Sequence, residues 1–312
     1  MSVFEEFIET TKHEYSQLID SLTETIERLS SVRNNLNNLN LQPSQYESTD
    51  SQSAKTSDTS NLSIFTLGKF YIKSSNFLVD SWPNKRTESL FQLLLLHANS
   101  RLDNDYLIEE LNLGGNIKTG LNSLRVTVHE LRKILDKFKD SNDNPLIYIT
   151  SEHGSYRLNF QENVWVDHVE FERVCSAITK PGYSLDEPEK ASSILQLYKG
   201  DLFQERLYDD WIHIPRERLL DLYLNALWKL AEYFSNRDEP TLCIDFSRKL
   251  LERDFLNEGA YELIIKSYMD LRRYSSGLKW FEICEKHLRV ELDIGPNNTL
   301  VNMALVMKGR IA

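Results

Sequence analysis

The clearest chemical signal in the sequence is a row of hydrogen-bond donors and cations along one side of a helical pattern from Ile117 to Phe138. Apolar residues recur there at steps of three and four, which gives a helix one stripe to bury: Leu121, Leu124, Val128, Leu131 and Leu135. The other side carries Thr119, Asn122, Ser123, Arg125, Val126, His129, Arg132 and Lys133. Few carboxylates interrupt this side, so it has the chemistry to bind phosphates and base edges.

Each of these side chains suits a particular contact with nucleic acid. A guanidinium such as Arg125 or Arg132 can donate to guanine O6 and N7 or hold a phosphate, and the Asn122 amide suits adenine N6 and N7. Phosphate contacts that position the helix are expected from Lys118, Thr119 and Lys133, and such contacts make affinity fall with salt. From this segment alone, an ordinary amphipathic helix with a solvated outer face is an equal alternative.

Two short strand patterns follow the helix. They contain Leu146 and Tyr148, and then Tyr156 to Leu158, and the link between them includes His153 and Gly154, which permits a positive φ. A polar helix followed by a hairpin is the order of a winged helix-turn-helix, in which the helix enters the major groove and the wing rests on the backbone. Arg157 would reach the backbone or the minor groove from the wing.

The segments before the helix complete this order. We predict β-like stretches over Leu62 to Ile72 and Asn76 to Trp82, and helices over Lys85 to Ala98 and Asn104 to Leu111, the second capped at Asp103. Gly114, Gly115 and Asn116 supply the turn.

This arrangement resembles the winged-helix domain of the OmpR and PhoB type. In particular LGKFYI at Leu67 to Ile72, the Ser81-Trp82 pair and the KRTESLFQLLLL helix resemble the SARP family of antibiotic regulatory activators. The resemblance implies that the groove-facing side holds Asn122, Ser123, Arg125, Val126, His129 and Arg132, and that the wing holds Tyr156 and Arg157. Family members often carry a Trp in the turn after the second helix, where this chain has Leu113, Gly114 and Gly115.

From Val166 onward the pattern is helical. An offset of 34 residues aligns Leu230 with Ile264, Phe234 with Tyr268, Cys243 with Gly277 and Phe246 with Trp280, which is the period of tetratricopeptide helix pairs. The segments YKGDLF (Tyr198 to Phe203), DWIHIPRERL (Asp210 to Leu219) and ELDIGPNNTL (Glu291 to Leu300) resemble the bacterial transcriptional activator domain that follows the winged helix in the SARP family. The resemblance implies RNA polymerase at a promoter as the partner of these repeats.

The first 41 residues show a heptad pattern. Eleven positions from Phe4 to Leu39 alternate at steps of four and three, and nine of them are apolar. We predict a coiled-coil oligomerisation helix over 1–41, pairing through residues 3–41, with a single amphipathic helix packed on its own protein as the alternative. Residues 42–61, rich in Ser, Thr, Gln and Asp, are predicted to be a disordered linker.

Composition restricts the other functions. The net charge is −11, but residues 62–160 hold 12 Lys/Arg against 11 Asp/Glu, so only this segment is not acidic. Cys175, Cys243 and Cys284 lie far apart in apolar contexts, which predicts buried thiols and no metal site. There is no phosphate-binding glycine loop and no His pair at metal spacing, so we expect no enzyme, no catalytic residue and no cofactor. The absence of a long apolar run or basic leader predicts a cytoplasmic protein without a membrane partner.

The sequence therefore predicts a mainly α protein with a small β component. A winged-helix DNA-binding domain spans 62–160 and a tetratricopeptide-like activator domain spans 161–312. The predicted function is sequence-specific regulation of transcription, with double-stranded promoter DNA and RNA polymerase or another regulatory protein as partners. The alternative is an interaction scaffold or signalling adaptor whose winged helix no longer binds DNA.

Overall fold

The computed structural model describes residues 62–114, 116–180, 188–206 and 208–311. The coiled coil predicted over 1–41 and the linker predicted over 42–61 lie outside these ranges. The described residues all belong to one unit of the chain, so contacts between its two halves can be followed directly.

The first half begins with a small sheet. Strand β1 (Leu62–Phe65) pairs antiparallel with β2 (Tyr71–Ser74), and β2 pairs antiparallel with β3 (Leu78–Val79). The stretch predicted as continuous from Leu62 to Ile72 is broken in two, because Gly68 adopts a φ of +101° and turns the chain.

Three helices and a hairpin follow, as the sequence predicts. Helices α1 (Lys85–Leu96), α2 (Asn104–Glu110) and α3 (Ile117–Leu135) precede strands β5 (Ile147–Glu152) and β6 (Ser155–Phe160). A short strand, β4 (Leu102–Asp103), pairs with β6 and completes a second sheet of order β4-β6-β5. Asp103 occupies the N-cap position of α2, but its side chain makes no capping hydrogen bond. The winged-helix arrangement is confirmed.

The core of this half forms around α1. The Asn84 side chain accepts a hydrogen bond from Thr87 N and so starts the helix. Its apolar residues are buried almost all round, as expected of a helix enclosed by neighbours: Leu90, Phe91, Leu93, Leu94 and Leu95. The apolar stripe predicted for α3 packs inward against α1 and α2 through Leu124, Val128, Leu131 and Leu135, while Leu121 is half-buried.

The second half is helical. Its elements are α4 (Asp167–Ile178), α5 (Pro188–Leu195), a 3-10 turn (Asp210–Ile212), α6 (His213–Asn236), α7 (Pro240–Leu251), α8 (Glu258–Asp270), α9 (Tyr274–Leu292) and α10 (Asn298–Ile311). From α6 onward each helix packs on the next. The residues aligned by the 34-residue offset lie in α6 and α8 or in α7 and α9. Leu230 and Ile264 are both fully buried, and Cys243 and Gly277 are both buried. The three- and four-residue apolar spacing predicts separate helices only as far as Leu288, so helix α10 is not predicted from the sequence.

The two halves share a strand and a buried carboxylate. Strand β7 (Val164–Val166) pairs in parallel with β1, which gives the first sheet the order β3-β2-β1-β7. Directly after β7, the Asp167 carboxylate accepts hydrogen bonds from Thr66 N (2.8 Å), Leu67 N (3.0 Å), His168 N (2.7 Å) and Thr66 Oγ1 (2.6 Å). Since Thr66 Oγ1 donates to Asp167, His168 Nδ1 donates to that hydroxyl at 2.9 Å.

Two of the motifs that carry the family resemblance, LGKFYI (Leu67 to Ile72) and YKGDLF (Tyr198 to Phe203), contact each other. Leu67 and Leu202 form an isolated antiparallel bridge, flanked by hydrogen bonds from Phe203 N to Thr66 O (2.8 Å) and from Gly68 N to Asp201 O (3.1 Å). A Cβ on Gly200 would lie 3.0 Å from the Cα of Gly68, so the absence of a side chain at position 200 lets the two backbones approach closely. At Gly68 it is the φ of +101° that favours glycine.

A buried arginine, Arg206, links the two halves near the same contact. Arg206, from the second half, donates to Glu88 Oε2 (2.7 Å), Gln92 Oε1 (2.8 Å) and Lys85 O (3.4 Å) on α1. The Arg206 and Glu88 side chains retain only 12% and 17% of their exposure. Burial raises the pKa of Glu88, and the guanidinium opposes that effect.

Stability is expected to depend on pH through His168. Burial lowers its pKa from the ordinary 6.5 to about 4. The unfolded chain therefore takes up a proton at a higher pH than the folded chain, and stability falls as the pH decreases between these values, by an amount on the order of 3 kcal/mol. In urea unfolding, His168→Asn, which keeps a donor near the Nδ1 position but does not titrate, should flatten this dependence; an unchanged slope would assign it to other groups.

Removing Arg206 is expected to loosen the junction. Arg206→Met leaves the Glu88 carboxylate and the buried Gln92 amide without their partner, which costs about 2–3 kcal/mol. Adding Glu88→Gln removes the unpaired charge and should recover part of the loss. Urea unfolding of the two single variants and the double variant measures this, and equal stability of Arg206→Met and wild type would contradict it.

Candidate nucleic-acid interface

The predicted recognition helix α3 is positioned by its first turn and by α2. Asn116 caps it by accepting from Thr119 N at 2.9 Å, and Thr119 Oγ1 donates back to Asn116 O. Gly120 is buried against α2, where a Cβ would lie 2.7 Å from Ile108 Cγ2. The absence of a side chain at this position lets the two helices approach.

The turn between α2 and α3 differs from the usual family pattern. Asn112 adopts a φ of +49°, a left-handed conformation that asparagine tolerates at the end of a helix. Leu113 follows it and is buried. At the position of the family's Trp the chain therefore places an apolar side chain in the core.

The outer face of α3 follows helical spacing. Asn122, Val126, His129 and Lys133 recur at steps of three and four, lie opposite the buried stripe and are all exposed. Val126 keeps 58% of its exposure in this row, which is unusual for a valine on an otherwise polar face. Lys118, Thr119 and Arg125 are also exposed, and Ser123 is half-buried. This row is the part of the helix that projects furthest from the protein.

Arg132 lies at the edge of that face, next to the wing. Its guanidinium donates to Ile149 O in β5 at 3.0 Å, so it links the helix to the hairpin. Arg125 has no such partner among the described residues. Of the two arginines predicted to contact DNA from α3, Arg125 is therefore the one that is free to do so without breaking a described contact of its own.

On the other side of α3, the start of α1 contributes two cations that sequence reasoning did not select. An open cleft of about 640 Å³ is lined by Asn84, Lys85, Arg86, Asn122, Ser123, Val126, Thr127 and Glu130. Lys85 and Arg86 are exposed and lie in the first turn of α1, where backbone N–H groups also favour an anion. They precede the first residue of α3 by more than 30 positions, so no local pattern in the sequence linked them to the recognition helix.

Glu130 is the one carboxylate among the residues that line the cleft, and it already accepts hydrogen bonds from α1 and its cap. It accepts from Asn84 Nδ2 at 2.8 Å and from Thr87 Oγ1 at 3.0 Å, and these hydrogen bonds lower its pKa. Glu130 therefore ties α3 to the cap of α1 and fixes the distance between Lys85, Arg86 and the recognition face.

The wing is a tight hairpin. His153 and Gly154 both have positive φ (48° and 79°), the geometry of a type I′ turn. Gly154 O accepts from Asn104 N at 2.9 Å, so the wing is tied to the start of α2. Arg157 is half-buried, beside the Arg101–Glu152 ion pair, and its Nε has no hydrogen-bond partner among the described residues.

The structure gives Tyr156 a different position from the one that the resemblance implies. Its side chain is buried at 8% exposure, and it pairs with Leu102 and Ser151 across the sheet. Adjacent residues in a strand point to opposite faces, so Tyr156 supports the wing from inside while Arg157 points the other way.

Comparisons with known proteins agree with this architecture. Residues 166–305 match the family "Bacterial transcriptional activator domain". This match confirms the SARP-type resemblance. The activator domain begins at the last residue of β7, inside the sheet that it shares with the winged helix.

Among solved structures, the chain is similar to Mycobacterium tuberculosis EmbR in complex with a low affinity phosphopeptide. The TM-score is 0.62 at 19% identity, over 80% of this chain and 65% of that one, so the likeness concerns the fold. The chain spans less than two thirds of the EmbR chain. No curated protein matches the sequence.

The described residues contain no cluster of His, Cys, Asp and Glu that could hold a metal ion, and no helix long and apolar enough to cross a membrane. The three cysteines are buried, and burial raises the pKa of the Cys175 and Cys284 thiols to about 12.

The contact between α2 and α3 can be tested at Gly120. Gly120→Ala should destabilise the chain by about 1–2 kcal/mol, because the overpacking against Ile108 exceeds the gain in helix propensity. Ile108→Ala removes the clashing methyl, so Gly120→Ala should be neutral or stabilising in that background. Urea unfolding of the four chains gives the coupling, and additive losses would show that the clash is relieved in another way.

Proposed function

We propose that this chain is a sequence-specific DNA-binding transcriptional activator that inserts α3 into the major groove of promoter DNA. The observation that supports this most is the exposed row Asn122, Val126, His129 and Lys133 on a helix held rigidly by α1, α2 and the wing. This row lies in a domain joined directly to an activator domain. Helices with donors, cations and an apolar contact on their outer face are the usual readers of the major groove.

The contacts divide into those that read bases and those that position the helix. Asn122 suits adenine, Val126 suits the thymine methyl group and Arg125 suits guanine. Lys118, Lys133, Lys85 and Arg86 suit phosphates on either side of the groove, and Arg157 suits the backbone under the wing. Thr119, Ser123, His129 and Arg132 remain candidate contacts, and Arg132 would have to exchange its bond to Ile149 O.

Two further parts of the proposal follow from charge and domain order. Residues 62–160 carry a net charge of only +1, so one domain should bind one half-site weakly. Pairing through residues 3–41 would raise the effective concentration at a second half-site. The helical repeats would then contact RNA polymerase or another regulatory protein in the cytoplasm, without a catalytic step or cofactor.

An interaction scaffold is the second candidate, because the net charge of −11 opposes binding to nucleic acid. It predicts that the outer face of α3 can be changed without loss of activity. The activator proposal predicts the opposite, so one experiment separates them.

The test is selection of bound fragments from a genomic library by the purified full chain at about 0.15 M salt, where non-specific attraction is partly screened. The wild type should enrich a repeated short motif, and Asn122→Ala/Arg125→Ala should lose it. A matched control, Asn225→Ala/Arg289→Ala, removes one exposed amide and one exposed arginine from the activator domain and should keep the motif. Failure of the wild type to enrich any motif would favour the scaffold.

Binding to the enriched DNA motif also tests whether Lys85 and Arg86 hold phosphates. If both hold phosphates, Lys85→Ala/Arg86→Ala should weaken binding to all sequences alike and reduce the slope of log affinity against log salt by up to about two. Changed motif preference with an unchanged slope would contradict a phosphate role.

A further inference from the structure

The last helix has an apolar outer surface. Leu300, Ala304 and Met307 are buried against α8 and α9, while Val301, Leu305 and Val306 keep 37%, 62% and 50% of their exposure. A helix face that is exposed to water usually carries polar residues. Here three branched aliphatic side chains occupy that face instead.

Charges of opposite sign lie at the two ends of this face. Lys308 and Arg310 are exposed in the last turn of α10, which contains no acidic residue. At its other end, Glu291 and Asp293 are exposed where α9 passes into the turn that leads to α10. In the described part of the chain none of these four residues takes part in an ion pair. Nearby Arg289 is paired with Glu285.

We propose that α10 is a self-association surface, which pairs antiparallel with α10 of a second copy of this chain about a two-fold axis near Leu305. In that arrangement Val301, Leu305 and Val306 of the two copies cover one another. Lys308 and Arg310 of each copy then lie beside Glu291 and Asp293 of the other. A face that is basic at one end, acidic at the other and apolar between them is complementary to itself, which is the condition for a two-fold interface.

The size of the face sets the strength of the contact. A helix of 14 residues is about 21 Å long, and one helix on one helix buries less than the roughly 800 Å² per partner of a stable interface. The contact is therefore weak by itself and forms when copies are already held close together, as a tether or neighbouring binding sites would do. It is separate from the pairing predicted for residues 3–41.

The experiment uses the full chain with Asn302→Cys, an exposed position on the same face, and a short bismaleimide cross-linker. Two charge variants are built on it. The basic variant carries Glu291→Lys/Asp293→Lys, and the acidic variant carries Lys308→Glu/Arg310→Glu. The native thiols are buried, so the chain without Asn302→Cys is the background control.

We expect a cross-linked dimer from the parent. Either charge variant alone should give only the background level of cross-linking, because both ends of its face carry charges of the same sign and two copies repel each other. Mixing the two variants should restore a dimer, which intact mass spectrometry identifies as mixed, because the variants differ in mass. All substituted residues are exposed, and circular dichroism verifies that each variant is folded.

Three results would overturn the proposal. Equal cross-linking in all variants would show that the copies meet through another surface, and a mixture that fails to form the mixed dimer would show that the charges do not pair. The third result is that the parent gives no cross-linked dimer, while the introduced thiol reacts more slowly with a monofunctional maleimide in the basic variant and faster in the acidic variant. This result would show that the acidic first 61 residues of the same chain cover the face.

Discussion

The buried Asp167 carboxylate is the interaction on which the arrangement of the two domains depends. A carboxylate removed from water is costly unless hydrogen bonds replace its hydration. Burial raises the pKa of Asp167, and hydrogen bonds from three backbone N–H groups and one hydroxyl oppose that effect. Two of those N–H groups belong to the residues that directly follow β1 and one to the start of α4. The carboxylate therefore obtains all these partners only when the sheet of the winged helix and the first helix of the activator domain are together. The domain boundary is thus a shared structure and not a linker.

A continuous set of contacts leads from that junction to the recognition face. Arg206 joins the activator domain to Glu88, Gln92 and the Lys85 carbonyl in α1. The cap of α1, Asn84, then donates to Glu130 in α3. The position of Lys85 and Arg86 beside the outer row of α3 is therefore set from both domains. A shift of the activator domain would move these cations relative to the outer row of α3.

The outer face of α3 is less cationic than its residue count indicates. Arg132 is engaged with the wing, and Glu130 neutralises part of the cleft, so the row that projects furthest is an amide, a valine, a histidine and a lysine. If α3 enters the major groove as proposed, such a face favours discrimination between bases over attraction to phosphate. A domain of net charge +1 would then need neighbouring copies to raise its affinity.

The sequence by itself determined the order of elements, because helical and strand periodicities and capping residues act over a few neighbouring positions. It therefore predicted the helices up to α9, the hairpin with its His153-Gly154 turn, and the outer row of α3. Only the tertiary structure decided that Lys85 and Arg86 border this row, that Arg132 binds Ile149 O, and that Tyr156 points inward. It also decided that the LGKF and YKGDLF segments touch and that α10 forms with an apolar outer face. The reason is that each of these depends on which distant segments meet, and that choice is set by packing and by buried hydrogen bonds such as those of Asp167, which no local pattern records.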